Sequence, residues 1–150
     1  SDVYKRQVQV EDRQGSPALQ ARIMSPCKLV EARWLQHDTT GAVAAVEILE
    51  NDLATVRNTE PMNPPVPELA AGNTLVRLAH GDTGVNYLLP DVRERLASDA
   101  SGRLLGYGFC DDDHRPFDID PRRNIFLPLH HGTTVFRVLA REIGDKPMAI

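Results

Sequence analysis

The chain has 150 residues, a formal net charge of −4 and 25% charged side chains, which are ordinary values for a globular domain. No apolar run approaches the roughly 18 residues of a membrane span, and the first residues lack the pattern of a signal peptide. A soluble, cytoplasmic protein that does not contact a membrane is therefore expected. The acidic balance excludes a general phosphate-binding surface, but it leaves open an enzyme that approaches phosphate through a metal.

The two ends of the chain and one proline-rich segment set the expected domain organisation. Residues 1–7 resemble a translated sequencing adapter found at the edges of metagenomic fragments, so they are expected to be a non-native leader. Residues 8–150 are expected to form a single small domain. The four prolines at positions 61, 64, 65 and 67 remove backbone donors and fix φ. They predict an extended connector near residues 60–67.

The first half of the chain has the pattern of strands. Residues 8–10 alternate, and residues 29–35 place Val30, Ala32 and Trp34 on one apolar face. A turn signal at residues 39–41 predicts that residues 42–49 return as the partner strand of a hairpin. The predicted class is α+β, with a β-rich N-terminal half followed by a mixed half that has two short helices.

The second half predicts short strands at residues 104–109 and 124–129 and two helices. The first helix is predicted to begin at Pro90, which suits the first turn. The second is predicted to pack through the face formed by Val135, Val138, Leu139 and Ile143. Gly144 is the predicted C-terminal cap of this second helix.

The residues that suggest chemistry concentrate between Cys110 and His131. Three consecutive carboxylates from Asp111 to Asp113 precede His114, and such oxygen and imidazole ligands suit divalent cations from magnesium to zinc or nickel. The alternative is an acidic turn exposed to water. The pair His130 and His131 is a second cluster, although neighbours on a regular strand point to opposite faces.

These clusters yield a set of predicted site residues, each with one role. His80 or His114 is predicted to be the general base, and Asn124 to orient the site. Arg122 and Arg123 are predicted to hold flanking phosphates. A divalent metal of unspecified identity is predicted to be bound by Asp113, His130 and His131.

One resemblance supports this reading. The pieces Ala79-His80, then residues 118–120 with 124–128, then residues 129–132 are similar to the His-Asn-His, endonuclease VII-type nucleases found as bacterial toxin domains. This resemblance implies a ββα-metal fold in which one histidine activates water and others hold a divalent metal at the scissile phosphate. The chain departs from the family pattern where Gly81 follows His80 and where threonines replace a later histidine. The departures leave an inactive relative as an alternative to an active enzyme.

A second resemblance points elsewhere. Residues 72–79 and 132–140 are similar to the opening turn and first helix of LysM, the βααβ module that binds N-acetylglucosamine polymers, and residues 125–128 resemble its closing strand. This resemblance implies a non-catalytic binding module that needs no metal.

The leading prediction is therefore a metal-assisted hydrolase that acts on a phosphodiester, with nucleic acid as the expected partner. The alternatives are a glycan-binding or phage or secretion assembly module, and an acidic immunity-type or inhibitor-type protein that binds a basic enzyme. The sequence leaves the oligomeric state open.

Overall fold

A computed structural model describes residues 5–72, 76–145 and 148–149. The fold is a mixture of α and β structure, as the sequence predicts. None of the helices in these ranges is long and apolar enough to cross a membrane. The elements in chain order are β1 (Lys5–Glu11), β2 (Pro17–Met24), β3 (Lys28–His37), β4 (Val43–Leu49), β5 (Val56–Pro61), β6 (Val76–Arg77), α1 (Pro90–Arg93), α2 (Gly132–Ile143) and β7 (Met148–Ala149).

The chain divides into two compact units. The first contains the residues up to Met62 together with Asn124–Leu127, and the second contains Asn63–Arg123 and the residues from Pro128 onward. The division after Met62 falls within the proline-rich segment. Residues 1–4 of the expected leader lie outside the described residues, whereas residues 5–7 belong to β1.

The first unit is an antiparallel sheet of five strands in the order β1-β2-β3-β4-β5, so each strand pairs with its neighbour in sequence. The predicted hairpin is present: β3 pairs with β4, and Asp38 closes the turn by accepting hydrogen bonds from the backbone of Thr40 and Ala42. Cross-strand neighbours Ala21, Ala32 and Leu49 form a small buried cluster on this sheet.

The predicted inner face of β3 is correct at only one position. Ala32 is fully buried, but Trp34 is 46% exposed, whereas Leu35, predicted to lie on the polar side, is buried. The buried residues Ala32 and Leu35 point to opposite faces of the strand, so both faces of this sheet are covered in part. The alternation of apolar residues therefore identifies the strand but not the face that is covered.

The second unit has its own apolar core, built around Tyr87, Phe117 and Phe136. The rings of Tyr87 and Phe117 meet edge to face, with centroids 5.1 Å apart. The Tyr87 hydroxyl donates to the carbonyl of Pro64 at 2.6 Å, so this buried polar atom has a partner. Burial raises the pKa of Tyr87 far above its ordinary value, which keeps the phenol neutral.

Helix α2 has Gly144 as its C-cap, as predicted, but the predicted apolar face is correct for only two of its four residues: Ile143 is buried and Leu139 packs against the core. Gly132, Phe136 and Ile143 are the buried residues, while Val135 and Val138 are exposed. The packed face is thus rotated toward Phe136, whose large ring fills the core better than a valine does. Helix α1 begins at Pro90 as predicted, and Val92 on it is buried.

The two strands predicted in the second half are not continuous strands. Residues 104–109 contribute only isolated bridges, from Ser98 to Leu104 and from Gly108 to Asp113. Residues 124–129 form a turn, and only Leu129 is bridged, to Asp120. Glycine or proline interrupts both of these short apolar runs. Because these residues disfavour a continuous strand, the backbone forms turns and isolated bridges there instead.

Candidate active site

Asp118 is the buried centre of the site, with 2% of its surface exposed. Its carboxylate accepts hydrogen bonds from the backbone N–H groups of His131 at 3.0 Å, Gly132 at 3.2 Å and Thr133 at 2.8 Å. Helix α2 has no cap from its own N-cap side chain, so Asp118 satisfies the N–H groups that the first turn leaves open. A carboxylate in this position also interacts favourably with the helix dipole.

The protonation state of Asp118 follows from these contacts. Burial alone raises the pKa of this carboxyl, but hydrogen bonds from Thr133, Thr83 and His131 outweigh burial and hold the pKa below its ordinary value. The Thr83 hydroxyl donates to Asp118 at 2.6 Å and accepts from the N–H of Gly132 at 2.9 Å. Asp118 is therefore ionised and fully engaged in holding the helix.

The loop formed by residues 81–84 packs directly on the first turn of α2. A Cβ on Gly132 would lie 2.0 Å from the carbonyl oxygen of Gly84, so only glycine fits there. Gly84 itself has φ of +106°, a conformation that favours glycine, and its own Cβ would meet the carbonyl of Phe117 at 2.4 Å. The backbones of three segments thus meet without side chains between them.

This close packing places Asp82 against His131. The Nδ1 atom of His131 lies 2.8 Å from one carboxylate oxygen of Asp82 and 3.0 Å from the other. Because a carboxylate can only accept, Nδ1 carries the proton and Nε2 presents the lone pair of the neutral ring. The imidazole is 66% exposed, whereas the Asp82 side chain is 14% exposed. The pair is a histidine oriented by a carboxylate, with its reactive edge open to solvent.

Each member of this pair stabilises the charged form of the other. The hydrogen bond from His131, followed by that from the backbone of Thr83, lowers the pKa of Asp82. The hydrogen bond to Asp82, together with its charge, raises the pKa of His131 above 6.5. The imidazole therefore changes its charge at a higher pH than an isolated histidine.

The two other histidines of the cluster are held by backbone carbonyls. His80 Nε2 donates to the carbonyl of Gly132 at 3.2 Å, and the ring meets Phe136 edge to face. His130 Nδ1 donates to the carbonyl of Asp118 at 2.6 Å. The structure thus brings His80, His130 and His131 together at the N-terminal end of α2.

A cleft of about 540 Å³ opens beside this cluster. Residues 80–84 line one part of it, and the remaining lining comes from residues 107–111, 115–117 and 119–122. Its volume is that of a site for a small molecule or for a few units of a polymer. Asp82 of the Asp82–His131 pair lies in the wall of this cleft, whereas His131 is not among the lining residues.

Two guanidinium groups line the cleft, and carboxylates fix both of them. Arg122 donates from Nε and Nη2 to Asp120 at 2.7 Å each, and Asp120 has its pKa lowered to about 2 by this partner. Arg115 donates from Nε to Asp113 at 3.2 Å. Two N–H groups of Arg122 are used in this way, which leaves three of its five donors for a ligand. Arg123, also a predicted phosphate ligand, is exposed and is not among the lining residues.

No protein-family model, curated protein or solved structure matches the chain at a significant level. The nuclease and LysM resemblances therefore stay predictions made from short motifs. Part of the LysM motif, residues 73–75, lies outside the described residues. The segment that follows, Val76–Arg77, is a strand paired in parallel with β7, whereas the resemblance implies a helix there. Residues 125–128, the implied closing strand, belong to a turn.

The remaining predicted site residues have other surroundings. His114 Nδ1 donates to the carbonyl of Gly106 at 3.2 Å, and its ring packs against Tyr107. Asp113 accepts from Asn63 at 2.9 Å and from Arg115. Asn124 belongs to the first compact unit, where its side chain accepts from the N–H of Phe126 and so closes a turn. These three side chains have structural partners of their own.

The residues predicted to bind a metal are not assembled into a ligand set. Asp113, His130 and His131 interact with Arg115, Asp118 and Asp82 respectively. Within residues 5–72, 76–145 and 148–149, no group of three or more His, Cys, Asp or Glu side chains is placed to hold a metal ion. The divalent metal therefore stays a prediction from the sequence.

Three residues that complete the cluster were not assigned roles from the sequence: Asp82, Thr83 and Asp118. Asp82 stands two positions after His80, and a carboxylate so near a histidine was the available signal. Asp118 was visible only as one member of an acidic stretch. Its role as a helix cap depends on a helix that begins 14 residues later, at Gly132. No short sequence pattern indicates a contact over that separation.

Proposed function

We propose that the chain is a hydrolase that cleaves a phosphodiester, with His131 as general base and Asp82 as the residue that orients it. The observation that carries the proposal is the 2.8 Å contact between His131 Nδ1 and Asp82, in which the imidazole remains 66% exposed. A carboxylate that fixes the tautomer of a histidine and stabilises the imidazolium is a recurrent arrangement in hydrolases.

The proposed reaction uses water as the nucleophile. A water molecule transfers a proton to Nε2 of His131 as its oxygen attacks phosphorus, and the charge of Asp82 stabilises the imidazolium that forms. The bond from phosphorus to the leaving oxygen breaks, and that oxygen takes a proton from solvent and leaves as an alcohol. His80 lines the same cleft and is held there by the contact of its Nε2 with the carbonyl of Gly132.

The choice of a phosphodiester depends on the cleft. Arg115 and Arg122 line it, and each is held in place by a carboxylate, so little side-chain entropy is lost when a phosphate binds. Arg122 is the better phosphate ligand because its paired donors keep the guanidinium plane fixed while three N–H groups remain. The substrate phosphate would then lie between Arg122 and the Asp82–His131 pair.

The test is hydrolysis of bis(p-nitrophenyl) phosphate, single-stranded DNA and RNA by the full chain. It is run with and without magnesium, manganese, zinc and nickel, because the sequence predicts a divalent metal. His131→Ala and Asp82→Asn are expected to lower kcat/KM by at least about a hundredfold. His37→Ala, which changes an exposed histidine of the first unit, is the matched control. If the wild type hydrolyses none of these substrates under any condition, or if His131→Ala is as active as wild type, the proposal is wrong.

A further inference from the structure

Residues 107–114 form a short hairpin with an unusual tip, here called the aromatic hairpin. The N–H of Gly108 donates to the carbonyl of Asp113 at 2.7 Å, and the reverse bond is 3.2 Å. The four residues between them project from the unit. Phe109, the first of the four, is 89% exposed, more than any other large apolar side chain that the structure describes. The ring is therefore displayed to solvent rather than packed.

Phe109 belongs to an ordered array of rings. Tyr107 lies in the middle, and its centroid is 5.2 Å from that of Phe109 and 5.2 Å from that of His114, with interplanar angles of 71° and 80°. The Tyr107 hydroxyl donates to Asp112, which raises the pKa of the phenol. Single exposed apolar residues are common on protein surfaces, but three rings fixed edge to face form a defined surface.

Three carboxylates, from Asp111 to Asp113, lie on the hairpin, and the two cations that share the cleft with it, Arg115 and Arg122, are each paired with a carboxylate. Asp113 is paired with Arg115, but neither Asp111 nor Asp112 forms an ion pair with any residue in the described part of the chain. The faces of aromatic rings also attract cations. A polyanion would meet repulsion from both carboxylates at this tip. Rings and carboxylates thus favour the same kind of ligand, a cation with a flat apolar surface.

We propose that the aromatic hairpin is a docking site for an arginine-rich segment of a partner protein. A guanidinium can stack on Phe109 or Tyr107 while its N–H groups bind Asp111 or Asp112, which an ammonium ion does less well. Residues 107–111 also line the cleft, so a segment seated on the hairpin would cover part of its opening. The proposal concerns binding alone and does not depend on hydrolysis by His131.

The experiment titrates the full chain with hexa-arginine, hexa-lysine, hexa-glutamate, an oligo-dT and chitohexaose, followed by calorimetry and by NMR of backbone amides. Hexa-arginine is expected to bind several-fold more tightly than hexa-lysine and to shift the amides of residues 105–114. Phe109→Ala is expected to weaken binding about threefold, the effect of losing one exposed cation–π contact. The double change Asp111→Asn and Asp112→Asn is expected to weaken it further and to reduce its dependence on salt.

Matched controls separate this site from general attraction between charges. Leu88→Ala removes another exposed apolar side chain of the same unit, and Glu94→Gln removes an exposed carboxylate. Both are expected to bind hexa-arginine as the wild type does. The proposal is overturned if Phe109→Ala binds as tightly as wild type, or if hexa-lysine binds as tightly as hexa-arginine. Oligo-dT is a candidate substrate of the cleft, so it overturns the docking site only if it shifts the amides of residues 109–112 and hexa-arginine does not. The proposal is also overturned if chitohexaose binds the hairpin instead, or if hexa-arginine does not bind below millimolar concentration.

Discussion

The carboxylate of Asp118 accepts the N–H of Thr133 at 2.8 Å and thereby caps a helix from a segment 15 residues earlier in the chain. The same carboxylate binds the two preceding N–H groups, so one buried side chain fixes the direction of the first turn of α2. His131, the proposed base, stands at the N-cap of that helix. The position of the imidazole therefore depends on a residue that takes no part in the proposed reaction.

Asp118→Asn is expected to destabilise the protein by about 2–4 kcal/mol. Asparagine has one carbonyl oxygen, so its N–H₂ group faces either the N–H of Thr133 or the N–H of His131, and a buried donor then loses its acceptor. Urea unfolding at pH 7 measures the loss. Asp111→Asn, an exposed change, serves as the control and should alter the free energy of unfolding by no more than about 0.5 kcal/mol. A loss of less than 1 kcal/mol for Asp118→Asn would contradict the cap.

The same carboxylate predicts a dependence of stability on acid. The pKa of Asp118 is lower in the folded protein than the value of 3.8 for a free aspartate. Its contribution is therefore complete above the unfolded pKa and is lost as the pH falls through the folded pKa. The difference in unfolding free energy between wild type and Asp118→Asn should shrink as the pH is lowered from 5 to below 3. A difference that stays constant over this range would show that Asp118 is not ionised.

His131 is expected to titrate above 6.5, because the hydrogen bond and the charge of Asp82 favour the imidazolium. Its stabilising contribution is present below the unfolded pKa and is lost as the pH rises through the folded pKa. Asp82→Asn should lower the pKa of His131, as measured by NMR of the imidazole Cε1–H. Glu94→Gln should leave it unchanged. If Asp82→Asn leaves the His131 titration where it was, the two side chains are not paired in solution.

Gly132→Ala is expected to destabilise the second unit, because the added Cβ would lie 2.0 Å from the carbonyl oxygen of Gly84. Backbone must move to accept it, at a cost of about 1–3 kcal/mol that exceeds the gain in helix propensity from alanine. Gly81→Ala is the matched control, since nothing lies within 4 Å of the Cβ position there. Equal melting temperatures for the two variants would mean that the loop and the helix are not in contact.

Phe136→Ala should cost about 3–5 kcal/mol, since the ring is 1% exposed in the core of the second unit. Val138→Ala, on the same helix, should cost little because Val138 is 48% exposed. This pair of variants tests the orientation of α2 directly. The reverse order of losses would restore the face that the sequence pattern predicts.

The sequence predicts the C-terminal limit of α2 but only part of its packed face, for a reason that lies in the pattern itself. Leu139 and Ile143 fit two equally regular helical repeats. One includes Val135 and Val138, and the other, which the structure packs, includes Gly132 and Phe136. The choice between them depends on which face meets Tyr87 and Phe117, and residues so distant are not visible in a short window. Likewise, β3 shows alternation, but the burial of Leu35 depends on what covers the second face of the sheet.

The candidate site shows the same division between local and distant information. His80 and the pair at His130 and His131 were identified from residue type alone, and the structure places them at one helix end. The partner of His131 is 49 positions away, and the cap of the helix lies outside the helix altogether. Residue types indicate which side chains can carry a proton, but the pairing of a base with its carboxylate is a property of the tertiary fold.

The contact between Gly84 and Gly132 has a consequence for variation of the cleft. Main chain meets main chain at this point, so the separation of Asp82 from His131 is set by a loop in direct contact with the first turn of α2 rather than by the side chains of the opposite wall. Tyr107, Phe109 and Arg122 can be exchanged for other residues without altering that separation. Ligand preference could then be retuned, by selection or in the laboratory, while the proton-transfer pair stays as it is.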